Sequence, residues 1–158
     1  PRPQLTKIDP VPGLADALGA TPELTFSTGT LGDLLAVFPT EQTVRELRPD
    51  FAALADIQSR TSRPDRGVIA TAPAQDPSGG YDFVSRFFTP SAGIPEDPAT
   101  GSAHTALAPY WSGRLGQDSL AGLQVSHRTG KITTTLGPDR VHLSGNAVTI
   151  ADGTFLHW

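Results

Sequence analysis

Residues 100–116 read TGSAHTALAPYWSGRLG, a helical stretch whose first turns are apolar on nearly every side. A helix of that kind has to be covered on most sides, so it belongs at the centre of whatever the chain builds. The runs able to cover it are short, partly β-branched and cut off by Gly or Pro. LTFST (24–28), LGDLLAVFP (31–39), GVIATAPA (67–74) and YDFVSRFF (81–88) fit strands, the last two joined by the turn-rich QDPSGG. LQVSHRT, KITTTL, RVHLS and AVTIA follow as four more strand candidates, and the apolar phase changes near Gly145, as a turn or bulge there requires. The remaining helices are peripheral. Leu14, Ala17 and Leu18 share one helical face that ends on Gly19. Val44, Leu47, Phe51 and Leu54 share another, but Pro49 disfavours helix at Arg48, so two short helices meeting at the proline are expected. The fold class that follows is α+β, a strand-rich sheet with one buried helix and a few outer ones.

At 158 residues the chain fits a single domain. Its net charge of -4 offers no chain-wide basic field for a phosphate backbone. The Arg60, Arg63, Arg66 cluster lies in a Pro-containing polar stretch that reads as solvated loop, so nucleic acid is not an expected partner. No apolar run reaches the roughly 18 residues that mark a membrane span, and the start of the chain is not of the secretory type. The expectation is a soluble, cytoplasmic protein with no membrane partner. The absence of cysteine excludes disulfides, thiolate nucleophiles and zinc–thiolate sites. With no methionine in it, the chain is expected to be a processed chain or a fragment, with sequence upstream of Pro1 missing.

The candidate chemistry lies just before the central helix, in GIPEDPATGSAH (93–104). Thr100 or Ser102 can serve as N-cap, and the first N–H groups beyond it have no partner inside the helix. Those donors and the helix dipole suit a carboxylate or phosphate, which Gly101, Ser102 and Ala103 are small enough to let close to the backbone. Asp97 would face the same spot, able to hydrogen-bond a hydroxyl or amine of the ligand. The plainer alternative is that Asp97 and Thr100 merely order a loop and cap a helix. His104 reads as a satisfied interior histidine. His127, His142 and His157 lack the spacing of a metal site. TGSAH is not a nucleophile-elbow motif, and Arg86 reads as half of an ion pair with an acidic loop.

Residues 86–111, RFFTPSAGIPEDPATGSAHTALAPYW, resemble the signature of the phenazine-biosynthesis PhzF-like family. ELRPDFAALADI and RVHLSGNAVTIADG resemble further pieces of it, so the likeness spans most of residues 20–155. The resemblance implies a two-lobe protein, each lobe a curved, barrel-like mixed sheet wrapped around a central helix as in diaminopimelate epimerase. Residues 1–158 would be the C-terminal lobe, with the N-terminal lobe absent from this chain. The implied activity is a cofactor-independent isomerase, without metal, that moves a proton on a small carboxylated substrate between the lobes. Phenazine antibiotic assembly, a branch of secondary metabolism, is the family example. Asp97 and Ser102 would then assist catalysis, while Thr100, Gly101 and Ala103 hold substrate. A preorganised donor such as Ser102 is worth roughly 3–4 kcal/mol. The general acid/base, a glutamate, and a Gly-His pair would come from the other lobe, so the isolated chain is expected to be inactive. A homodimer is a family expectation. Hydrolysis of a carbon-carbon bond on the same fold, or ligand binding without catalysis, are the alternatives.

Overall fold

The computed structural model describes residues 1–60 and 66–154. Among them lie strands β1 (Thr6–Ile8), β2 (Leu24–Ser27), β3 (Leu34–Val37), β4 (Val68–Pro73), β5 (Phe83–Thr89), β6 (Ile94–Asp97), β7 (Ser119–Gln124), β8 (Gly130–Leu136) and β9 (Val141–Gly145). The α-helices are α1 (Leu14–Leu18), α2 (Glu41–Glu46), α3 (Phe51–Ser59) and α4 (Gly101–Leu115). One sheet contains all the strands in the order β1-β2-β3-β4-β5-β7-β8-β9, with β6 also on β5. The β3–β4 and β5–β7 pairs are parallel and the rest antiparallel, so the sheet is mixed.

Strands β3, β4 and β5 are buried on both faces, which is why they read as near-continuous apolar runs rather than as alternation. Leu35, Val37, Ile69, Phe83 and Phe87 face α4 and pack with its Ala106, Leu107 and Trp111. Ala36, Phe38, Ala70, Val84 and Phe88 face the other way, against Leu14 and Leu18 of α1, Val44 of α2, Leu47 just past the end of α2, and Leu54 of α3. The chain is thus layered as outer helices, sheet and α4. Asp50 starts α3 by accepting from the Ala52 and Ala53 N–H groups at 3.0 Å, and Thr40 starts α2 in the same way. Pro49 separates the two helices as expected, and because they are separate, Phe51 falls out of phase and is 36% exposed.

The structure differs from the sequence reading at several points. The sheet is open, not a closed barrel: β1 and β9 are its two ends and do not pair. The Arg2 N–H donates to the Asp139 carbonyl at 3.0 Å, so the N-terminal segment lies against the turn before β9 without extending either ladder. AVTIA (147–151) forms no strand, and Val148 and Ile150 are 82% and 91% exposed. LQVSHRT overlaps β7 only at its start, since the strand runs over SLAGLQ. Asp97 ends a short strand, β6, rather than lying in a loop. Arg66 is not solvated loop: its Nη2 meets the buried Asp33 Oδ2 at 2.8 Å. Arg60 pairs with Asp56 on the surface, whereas Arg63 and His157 lie outside the described residues. Among the described residues no helix is long and apolar enough to cross a membrane.

Candidate functional site

The site is built where one edge of β5 changes partner. Along Phe83–Ser85 that edge pairs with β7, ending at Ser85↔Gln124, and from Phe87 it pairs with β6, beginning at Phe87↔Asp97. Two strands far apart in sequence therefore end side by side, and the turn from β6 into α4 lies over the end of β7. Gly130 permits the approach: a Cβ there would come within 2.7 Å of the Ala99 Cβ. Beneath β6, Arg86 makes a bidentate pair with Glu96, both bonds 2.8 Å, and donates to the Leu47 carbonyl at 2.9 Å. The reading of Arg86 as one half of an ion pair therefore holds, and Glu96 is committed to that pair.

Thr100 has the extended backbone of an N-cap but makes no side-chain bond to the helix. Its hydroxyl instead donates to Asp97 Oδ2. What holds Thr100 there is Gln124, fully buried at the end of β7. Gln124 Oε1 accepts the Thr100 N–H at 2.8 Å, and Nε2 donates to the Asp97 carbonyl at 2.6 Å and to Thr100 Oγ1 at 3.1 Å. Ser126 also donates to the Asp97 carbonyl, at 3.1 Å. The first turn of α4 is consequently not capped by Thr100, and its leading N–H groups remain available to an anion. Gly101 and Ser102 are half-buried there, while the Ala103 side chain is buried in the core, so that only its backbone can serve a ligand. Ser102 and Thr105 line an open cavity of about 260 Å³ with Thr30, Leu31 and the first three residues.

His104 is interior but only half satisfied. Its Nδ1 lies 2.8 Å from the Thr100 carbonyl, which fixes the neutral tautomer with the proton on Nδ1, and Nε2 is buried without a hydrogen bond. Burial pushes its pKa below the ordinary 6.5, against the opposing pull of the Thr100 carbonyl. The unfolded chain therefore takes up this proton at a higher pH than the folded chain does. The stability tied to His104 is complete above about pH 6.5 and is lost as the pH falls below it toward the folded-state pKa. Thermal melts should give a flat Tm above about pH 7 and a declining one below about 6.5; a His104→Asn variant, which keeps the donor to Thr100, should lose that decline. Glu41 acts in a separate, lower window. Burial raises its pKa, but bonds from the Gln75 N–H, Arg45 and Tyr81 outweigh that and hold it below 4.5. Its contribution is present above about pH 4.5 and disappears only as the pH falls below that value.

Of the residues named from the sequence, the structure brings Asp97 and Thr100 into contact and places Gly101, Ser102 and Ala103 in one helical turn beside them. It missed Gln124 and Ser126. A signal was present, since Leu120, Gly122 and Gln124 occupy the buried positions of β7, and a glutamine at an inward position needs partners. Among the described residues there is no group of three or more His, Asp or Glu side chains that could hold a metal ion.

Comparison with known proteins bears on the family and the fold. Residues 7–153 match the family model described as phenazine biosynthesis-like protein. The chain is 45% identical over 140 residues to an uncharacterized isomerase of Pseudomonas aeruginosa, covering 89% of this chain and 49% of that protein. It is 39% identical over 137 residues to an uncharacterized isomerase of Halalkalibacterium halodurans, covering 87% and 48%. A crystal structure of a phenazine biosynthesis protein of the PhzF family from Enterococcus faecalis superposes with a TM-score of 0.82 at 38% identity, over 99% of this chain and 56% of that one. A phenazine biosynthesis PhzC/PhzF protein structure from Clostridium difficile gives 0.80 at 34% identity, with the same coverage. The chain spans about half the length of the curated relatives it matches.

Proposed function

The chain belongs to the phenazine biosynthesis-like protein family, and from that premise we propose that it forms one lobe of a cofactor-independent isomerase, built on the diaminopimelate epimerase plan, that moves a proton on a small carboxylated substrate held between two lobes. The observation that carries this reading is the pairing of Asp97 with the open start of α4. One Asp97 oxygen is held by Thr100, and the other accepts no protein hydrogen bond among the described residues. The substrate carboxylate would lie on the N–H groups of Gly101, Ser102 and Ala103, with the Ser102 hydroxyl as a further donor. When a C–H proton is removed next to a conjugated acid, charge develops on that acid, and these donors would stabilise it. The proton would then return to another carbon of the same skeleton, so no atom is gained or lost.

The proton-transfer base itself belongs, on this reading, to the other lobe. The state of two of the four glutamates here supports that division. Glu96 is engaged by Arg86 and Glu41 by Arg45, Tyr81 and Gln75, so neither is poised to take a substrate proton. The names of the relatives, isomerases, support the reaction class. The test is to incubate the native full-length protein with candidate cyclic and amino-acid-derived carboxylates in deuterated water and follow them by NMR and mass spectrometry. Deuterium entering the skeleton with no other change of mass is the expected result. Addition of the elements of water would replace isomerisation with hydrolysis, and binding without exchange of any candidate would make this a ligand-binding module.

A further inference from the structure

The geometry assigns Gln124 as a positioning residue that, through Thr100, presents one Asp97 oxygen as a pure acceptor and so makes the site select a hydrogen-bond donor on its ligand. This rests on the reading of Asp97 and the start of α4 as the substrate site. The orientation of the Gln124 amide is unambiguous, because each end meets a group with only one possible role. Oε1 faces the Thr100 N–H, which can only donate, and Nε2 faces the Asp97 carbonyl, which can only accept. With Nε2 also donating to Thr100 Oγ1, that hydroxyl is left to spend its single proton elsewhere, and Asp97 Oδ2 is where it goes. The relay runs in one direction, from amide to hydroxyl to carboxylate.

Three consequences follow. Thr100 cannot rotate to cap α4 without breaking its bonds to Gln124 and Asp97 at once, which explains why an N-cap threonine leaves its helix uncapped. The Asp97 backbone is held from below by Gln124 and Ser126, and the Thr100 carbonyl by His104, so the Thr100 hydroxyl stays where it can hold the carboxylate by Oδ2. The remaining oxygen, Oδ1, then offers lone pairs only, and a ligand bearing an amine or hydroxyl next to its carboxylate is favoured over one that lacks it. Gln124 touches no ligand in this arrangement, being fully buried behind Thr100.

The experiment compares 2-aminobenzoate with benzoate, by calorimetric titration of the native full-length protein and of its Gln124→Ala and Gln124→Glu variants. It is paired with the Thr100 side-chain rotamer, read from NMR couplings in the absence of ligand. In the native protein the amine is expected to bring about tenfold tighter binding, a difference of ~1.4 kcal/mol. In Gln124→Ala that preference should fall to about one while benzoate binding changes less than about twofold, and Thr100 should sample several rotamers. Gln124→Glu keeps the acceptor for the Thr100 N–H but sets a second acceptor against the buried Asp97 carbonyl, and should show the same lost preference with a lowered Tm. A preference retained in both variants, or the two affinities falling in parallel, would overturn the assignment. Should the native protein bind neither probe, it is the substrate-site reading that fails; the rotamer then decides for Gln124, a Thr100 still locked in Gln124→Ala refuting it and a released one sustaining it.

Discussion

Replacing Asp97 by Asn is expected to slow deuterium incorporation into the substrate by about 100-fold or more, with stability changed by less than ~1 kcal/mol. The separation of the two effects comes from how the residue is held. Its carbonyl is bound by Gln124 and Ser126 whatever the side chain is, and an asparagine oxygen can still accept from Thr100, so the turn into α4 keeps its shape. The amide nitrogen, however, stands where a carboxylate oxygen should accept from the ligand, presenting a donor to a donor. Exchange rates by NMR and a thermal melt on the same sample check both halves. Full exchange in the variant would remove Asp97 from the chemistry and return the site to the plain loop-ordering account. Asp97→Ala should add instability, because it strips the Thr100 hydroxyl of its acceptor in a part-buried site, at a cost of about 1–3 kcal/mol.

The largest effect on stability is expected from Trp111→Ala. Trp111 is 3% exposed and stacked on Phe83, with ring centroids 5.8 Å apart and planes 7° apart. It meets Tyr110 edge-on at 5.1 Å, and its indole N–H donates to the buried Thr71 hydroxyl at 3.0 Å. Truncation removes the side chain that joins α4 to both β4 and β5, and a tryptophan-sized loss from a core costs about 3–5 kcal/mol. At ~2–4 °C per kcal/mol for a chain of this length, Tm should fall by about 6–20 °C. Trp111→Phe keeps an aromatic ring but not the donor, and should lose a smaller part, with about 1 kcal/mol of it from the hydrogen bond. A Trp111→Ala variant melting within a degree or two of the native protein would contradict the placement of α4 on this face of the sheet.

The fold was legible wherever local pattern and tertiary demand coincide. The two-sided apolar runs of β4 and β5, the break at Pro49 and the largely apolar α4 all follow from residues within a few positions of one another. β7 was displaced in the sequence reading because SLAGLQ has little β propensity of its own. It is a strand because Gly122 lets two rings close on it: a Cβ there would lie 2.5 Å from Phe83 and 2.9 Å from His104 Nε2. AVTIA failed in the opposite sense. Its alternation is good, yet alternation says only which side chains would share a face, and a ladder requires another backbone to pair with. At the site, Asp97, Ser102 and the small residues around them could be named from the motif; Gln124 becomes readable as an inward glutamine only once β7 is placed correctly, and the deflection of Thr100 from its cap has no local signal at all.

The sequence by itself determined that a small-residue helix start follows an acidic turn, because capping preference, glycine tolerance and apolar periodicity are properties of neighbouring residues. The tertiary structure alone decided where the Thr100 proton points. That choice depends on an amide 24 residues further along the chain, brought alongside by the change of partner on β5. A buried glutamine must find its hydrogen bonds among whatever groups the fold places around it, and no local pattern specifies which groups those are.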